Sequence, residues 1–333
     1  MNMTSAPTLL SIGIATLNRP PLLARAVETV FAAARFAGAA PNSVELIVSD
    51  MGGSPETKAV LDWLAGSAPE QLCFRRQVDT SIPSGIANWR ECLRLARGRY
   101  YMMIGDDDEL DPEALAKLLP IIAESHVACF LGSAFDIDGE GRPTRRVRQS
   151  RAELEGERFF QNIVCRRVTL RWCAFVCRRD ILVETGAFDR DFPGGGAGAD
   201  AAAIFSSASA GRAMLLDFPI GRFRVHGAND SRRLSIDYHV NHREELAAYV
   251  AKPIFHNRRM RELCHYWLAD GIFYQIVRWR MQNIIRRHEL LALLGYADQF
   301  ASRIDWGQIQ LTMRLQYHAR RAIIQGLAMA TPK

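Results

Sequence analysis

Tyr100-Tyr101-Met102-Met103-Ile104-Gly105-Asp106-Asp107-Asp108-Glu109 runs five apolar or aromatic residues straight into four acidic ones. A short apolar run of this kind reads as a strand buried on both faces. Its abrupt polar end puts the acidic cluster at the strand's carboxyl terminus. The pattern repeats upstream. Leu9 to Ala15 is a buried-strand run ending at Thr16, and Val44 to Val48 is another, ending in Ser49-Asp50. Leu72 to Val78 reads as a further strand. Between them lie helical patterns. Asn18-Arg19-Pro20-Pro21 opens the first, with proline in its first turn and a side-chain cap expected before it. Leu22, Leu23, Ala26, Val27, Val30, Phe31 and Ala34 share one face of that helix. The others span about Glu56 to Leu64 and Ile86 to Ala96. This β-α-β-α-β-α-β order predicts an α/β fold, a mainly parallel sheet with helices on both faces.

In such sheets ligands bind beyond the carboxyl ends of the strands. Thr16, Asp50 and Asp106 to Asp108 therefore converge on one edge through topology alone. Adjacent carboxylates about 4 Å apart repel by about 4 kcal/mol at an effective dielectric near 20. A divalent cation relieves that repulsion, and Mg²⁺ or Mn²⁺ suits oxygen ligands. A solvated acidic turn before the helix expected from Pro112 is the plainer alternative.

The chain has 333 residues, 48% of them hydrophobic and 23% charged, so it has globular composition and is long enough for two units. No apolar run approaches a membrane span. The first eight residues lack the pattern expected of a signal peptide. Seven scattered cysteines, an odd number, lead us to expect reduced thiols and a cytoplasmic setting. The middle of the chain is less regular. Val127 to Phe135 reads as strand, Gly139 to Pro143 as a turn, and Arg142 to Arg151, with five arginines, as a basic loop. Cys173 to Cys177 and Ala213 to Asp217 read as further strands, and Gly194 to Gly198 as a hinge. From about Ile236 the pattern is helical. The expected division is 1–235, with a donor part at about 8–125 and an acceptor part at 126–235, followed by a helical region at 236–333.

Ser11-Ile12-Gly13-Ile14-Ala15-Thr16-Leu17-Asn18-Arg19-Pro20 resembles the opening of the family 2 glycosyltransferases of GT-A fold. Glu45 to Asp50 with Gly53-Ser54, Asn88, Ala96-Arg97-Gly98-Arg99-Tyr100 and Gly105-Asp106-Asp107-Asp108 extend the resemblance in the same order, over roughly residues 8–235. The resemblance implies inverting transfer of a sugar from a nucleotide-diphosphate donor to a glycan or lipid-linked acceptor, in bacterial polysaccharide or glycolipid assembly. It implies that Thr16, Asn18 and Arg19 lie in the loop holding the nucleotide. Asp50 reads the base, Asn88 approaches the donor and Asp106 sits near the ribose. Asp107, with Asp108 beside it, binds the divalent metal (Mn or Mg). Gly105 stands where the common form has an aspartate.

Inverting transfer needs a general base for the acceptor hydroxyl. The resemblance places it after a Gly-x-Phe-Asp element. Here Gly186-Ala187-Phe188-Asp189 is followed by Gly198-Ala199-Asp200, which makes Asp200 the expected base, with Asp189 the competitor. Asp200 also suits the cap of a helix beginning at Ala201. Arg222-Phe223-Arg224-Val225-His226-Gly227 resembles a later strand-to-loop element of the family. His226 is a further candidate metal ligand, and Arg224 a candidate to balance phosphate charge.

Charge is uneven. From Lys252 onward there are 13 Lys+Arg and 5 Asp+Glu, whereas the preceding residues carry 29 and 31. Apolar and basic residues alternate here at helical spacing. The alternatives are a helical cap with a basic outer face, docking on an anionic membrane surface, and homo-oligomer formation. No nucleic-acid-binding motif accompanies the charge. Two other functions fit the same features: a sugar-phosphate nucleotidyltransferase, and a non-catalytic assembly subunit. The absence of a Gly-rich phosphate loop after the first strand disfavours the former.

Overall fold

The computed structural model describes residues 7–189, 197–226, 236–281 and 286–330. Its first half alternates as expected: β1 (Leu10–Thr16), α1 (Pro20–Ala37), β2 (Val44–Asp50), α2 (Pro55–Ser67), β3 (Leu72–Val78), α3 (Gly85–Leu95) and β4 (Tyr100–Met103). Then come β5 (Glu109–Leu110), α4 (Ala114–Glu124), β6 (Cys129–Ile137), β7 (Pro143–Val147), β8 (Ala152–Leu154), α5 (Gly156–Val164), β9 (Phe175–Arg178), α6 (Arg179–Thr185), α7 (Ala197–Ala210) and β10 (Ala213–Arg224). Among the described residues four helices follow: α8 (Ile236–Val250), α9 (Arg258–Met281), α10 (Arg287–Ala301) and α11 (Leu311–Ala330).

One sheet runs through the molecule in the order β3-β2-β1-β4-β9-β6-β10-β5, with β7 on β6 and β8 on β10. Strands β3, β2, β1 and β4 are parallel neighbours. β9 lies antiparallel to both β4 and β6 and joins the two halves. Side-chain alternation along each strand divides the core. Tyr100, Met102, Phe130 and Val176 face α1, α2 and α4. Tyr101, Met103, Leu131, Phe175 and Cys177 face α3, α5 to α7 and the later helices. Full burial of one such side chain contributes about 1.5–3 kcal/mol.

The later helices share this second core. Phe205 packs on Phe255 at 4.9 Å between ring centres, and Phe160 meets Trp267 edge-on at 5.8 Å. Ser206 and Tyr249 hydroxyls hydrogen-bond at 2.6 Å. Several of the basic residues after Lys252 are paired: Arg259 with Glu157, Arg303 with Glu244 and Arg321 with Asp298, while Arg320 shares the buried Asp270 with Arg166.

Three expectations need correction. Half of the arginine-rich segment 142–151, Pro143–Val147, is strand rather than loop. Arg145 pairs with Asp136 at 2.9 Å, Thr144 donates to the Asp136 carbonyl, and Arg146 lies over the Phe135 ring, so β7 zips onto β6. α1 has no side-chain cap: Asn18 adopts φ 51° and its side chain lies against Gly52 in the next loop. α7 begins at Ala197, so Asp200 sits inside its first turn. The expected hinge at Gly194 to Gly198 falls mostly outside the described residues. All seven cysteines are free thiols.

Candidate active site

Parallel register places the strand ends together. Thr16 is level with Asp50, and the Ile104 N–H donates to the Gly13 carbonyl, so the chain leaving β4 rises beside the end of β1. Residues 105–108 then turn back, closed by the Asp108 N–H on the Gly105 carbonyl at 3.1 Å. A Cβ at residue 105 would lie 2.7 Å from Asp107 Oδ1. A side chain there would require the Asp107 carboxylate to shift.

The three aspartates have different surroundings. Asp106 accepts from Thr16 Oγ1 at 2.7 Å and from Arg19 Nη1 at 3.2 Å. Burial raises its pKa, with the Thr16 hydroxyl opposing. Asp107 is part-exposed, its Oδ2 beside His226 Nε2 at 3.0 Å, with Arg19 Nη1 at 3.6 Å. Asp108 turns inward. It is 4% exposed, accepts from the Arg224 N–H at 2.8 Å, and burial drives its pKa well above the carboxylate range. Asp107 is thus the part-exposed member of the run, with Asp106 buried against Thr16 and Asp108 bracing the loop from behind.

Arg224 is the residue whose placement sequence reading missed. Its guanidinium is buried beneath the acidic loop. It donates to the Asp107 carbonyl at 2.7 Å and to the Asp138 and Gly139 carbonyls at 2.9 Å each. It also pairs with Glu109. One side chain therefore ties β10 to the Asp107 loop and the β6–β7 turn. Glu109, at the end of the acidic run, was its only sequence signal.

The remaining donor-side candidates cluster at the same edge. Asp50 is fully buried, and its two oxygens accept from the Gly52 and Gly53 N–H groups at 2.9 and 3.0 Å. It shapes this loop directly. Asn88 donates to the Thr16 and Ser49 carbonyls at 3.3 and 3.0 Å, pinning β1 to β2. Its buried Oδ1 has no partner among the described residues. Leu17, half exposed, projects from the β1–α1 loop. Trp89 stacks on Trp172 at 5.9 Å and meets Phe188 edge-on, a packing role.

On the acceptor side, Asp200 accepts from the adjacent Ala201 N–H at 2.6 Å. Burial raises its pKa to about 7, with that N–H opposing. Asp189 is exposed at the end of the Gly186-Ala187-Phe188-Asp189 turn, where Gly186 ends α6 with φ 62°. Arg90 donates to its carbonyl at 3.3 Å.

A parallel strand set with an acidic loop at its carboxyl edge, continued by a mixed sheet, is the architecture of the GT-A glycosyltransferases. Solved structures share it. S. aureus TarS 1–349 superposes with a TM-score of 0.66 at 15% identity, covering 96% of this chain and 89% of that one. Its complex with UDP-GlcNAc gives 0.65 at 13% identity, covering 96% and 90%. The mannosyltransferase PcManGT from Pyrobaculum calidifontis, solved with GDP-Man and Mn²⁺, gives 0.51 at 14% identity, covering 98% and 89%. No curated protein sequence matches the chain. The profile of glycosyl transferase family 2 matches residues 11–186, more than half of the chain, which belongs to that family.

Proposed function

We propose that the protein is an inverting glycosyltransferase that moves a sugar from a nucleoside-diphosphate sugar to an acceptor hydroxyl, in polysaccharide or glycolipid assembly. The observation that carries this reading is the convergence of Thr16, Arg19, Asp106, Asp107 and His226 at one sheet edge. The UDP-GlcNAc and GDP-Man complexes of the fold neighbours support the donor class. Thr16, Asn18, Arg19, Asp50 and Asn88 build the nucleotide loop, and Asp106 meets the ribose. The seven free thiols suit a reducing, cytoplasmic setting.

The residues fit a divalent cation. Ligands at right angles on an octahedral ion with bonds of about 2.1 Å lie about 3 Å apart. Asp107 Oδ2 and His226 Nε2 have that spacing. Imidazole suits Mn²⁺ better than Mg²⁺. Among the described residues no group of three or more His, Cys, Asp or Glu side chains is placed to hold a metal. Asp107 and His226 would then supply two positions, with diphosphate oxygens supplying others. The bound ion would neutralise the charge developing on the departing diphosphate. Arg19, close to both Asp106 and Asp107, is placed to steady that diphosphate.

Two measurements test the reading. Incubation with a nucleotide sugar and an acceptor should release free nucleoside diphosphate. Pyrophosphate would instead indicate nucleotidyl chemistry, and no turnover with any donor and acceptor would favour an assembly subunit. In calorimetry, nucleoside diphosphate should bind at least about tenfold more tightly with Mn²⁺ than in EDTA, a difference of about 1.4 kcal/mol. Asp107→Asn should abolish the difference. Equal affinity of the unsubstituted protein in EDTA would rule out the metal.

Turnover should also follow the base. With Asp200 titrating near pH 7, the ionised form is lost as pH falls. kcat should be level above about pH 7 and fall about tenfold per unit below it. A profile that stays flat from about pH 5 to about pH 8 would exclude Asp200 as the titrating group.

A further inference from the structure

The last helix turns an apolar face outward. Leu311, Leu315, Ile323, Leu327 and Met329 are 66%, 61%, 64%, 45% and 74% exposed. At 3.6 residues per turn they fall with Ala319, Ala322 and Gly326 in one arc of about 160°. Thr312 and Gln316 are the polar residues in that arc. The opposite face, Met313, Tyr317, Ile324 and Ala328, is buried in the core. α9 continues the surface with Tyr274 and Val277, 58% and 47% exposed. Between the two helices lies a cavity of about 310 Å³, floored by Phe273 and Ile324 with Arg166 and Arg320 at its walls.

The charge around this face is net positive: Arg166 and Arg320 share the single carboxylate of Asp270, and Arg321 pairs with Asp298. α11 contains Arg314, Arg320 and Arg321 and no Asp or Glu. Arg320 lies at one edge of the apolar arc, and Arg314 and His318 at the other. Arg314 donates to the Ile309 and Gly307 carbonyls rather than to a carboxylate. A second copy docked through the same face about a two-fold axis would set arginines against arginines. An anionic bilayer offers the complementary charge. A helix with an apolar face and basic edges lies in the membrane interface, its apolar side chains sunk about 5–10 Å and its arginines reaching the headgroups. No helix among the described residues is long and apolar enough to cross a membrane.

We propose that the outer face of α11, with Tyr274 and Val277 of α9, docks the protein on an anionic membrane surface. The test is co-sedimentation of the full chain with phosphatidylcholine vesicles, with and without phosphatidylglycerol. Binding is expected with the anionic vesicles, weakening as salt rises. Leu315→Gln/Ile323→Gln changes two exposed side chains, so the fold should survive, as circular dichroism would verify. It should weaken binding about tenfold or more, since both side chains lie within the exposed apolar arc that would enter the bilayer. Absence of binding, or equal binding by the double variant, would overturn the proposal. So would a concentration-dependent dimer in light scattering that the double variant disperses, if vesicles are not bound.

Discussion

Asp200→Asn should lower kcat by about 10²–10⁴-fold, the usual size of a general-base contribution. Affinity for the nucleotide should change by less than about twofold, because Asp200 lies on α7 and the proposed nucleotide loop is built from β1, β2 and β4. The effect follows from what burial does to this carboxyl. In the first turn of α7, removal from water raises its pKa to about 7, and a single backbone N–H holds the shift back. An acid poised there is about half ionised at neutral pH and still basic enough to take a proton from a hydroxyl in flight. Asparagine keeps the shape and cannot accept that proton. The substitution should not harm the fold. A carboxyl whose folded pKa is raised contributes stability fully present below about 3.8 and lost as pH rises through about 7. Removing it therefore cannot lower stability above pH 7 through ionisation. If Asp200→Asn turns over normally and Asp189→Asn does not, the base is Asp189.

Arg224→Met should lower folding stability by about 3–5 kcal/mol, the range found when one member of a buried ion pair is removed. It leaves Glu109 buried without its guanidinium and removes the donor from the Asp107, Asp138 and Gly139 carbonyls. Chemical denaturation measures the loss directly. Where the methionine variant still folds, metal-dependent nucleotide binding should weaken more than metal-free binding, because the Asp107 loop is what the guanidinium anchors. Arg224→Lys keeps the charge but not the fork, and should fall between the two. Stability within about 1 kcal/mol of the unsubstituted protein would show that the anchor is dispensable.

The ends of β1, β2 and β4 were legible because each of these strands is a mostly apolar run that stops in a polar cluster. Nothing but sheet topology was then needed to bring Thr16 to Asp106. What escaped depended on partners distant in sequence. The arginines of β7 read as a loop because the carboxylate that holds Arg145 and Arg171, Asp136, belongs to another strand. Asp106, Asp107 and Asp108 look alike in sequence, and only the fold turns Asp108 away toward Arg224. The basic surplus after Lys252 gave no sign of how much of it is spent on ion pairs. Asn18 has the residue type of a helix cap, yet its left-handed backbone sends the side chain toward Gly52 instead.

The antiparallel β9 has a consequence for how the chain comes to be made. It fills the gap between β4 and β6, and it is encoded about seventy residues after β4. During synthesis the first four strands emerge with the edge of β4 bare, a row of unpaired peptide groups between apolar side chains. That edge stays open to other nascent chains until Phe175 to Arg178 leaves the ribosome. A fragment ending near residue 125 would keep it open for good. This first part should therefore aggregate when expressed alone, even though it contains most of the proposed nucleotide loop.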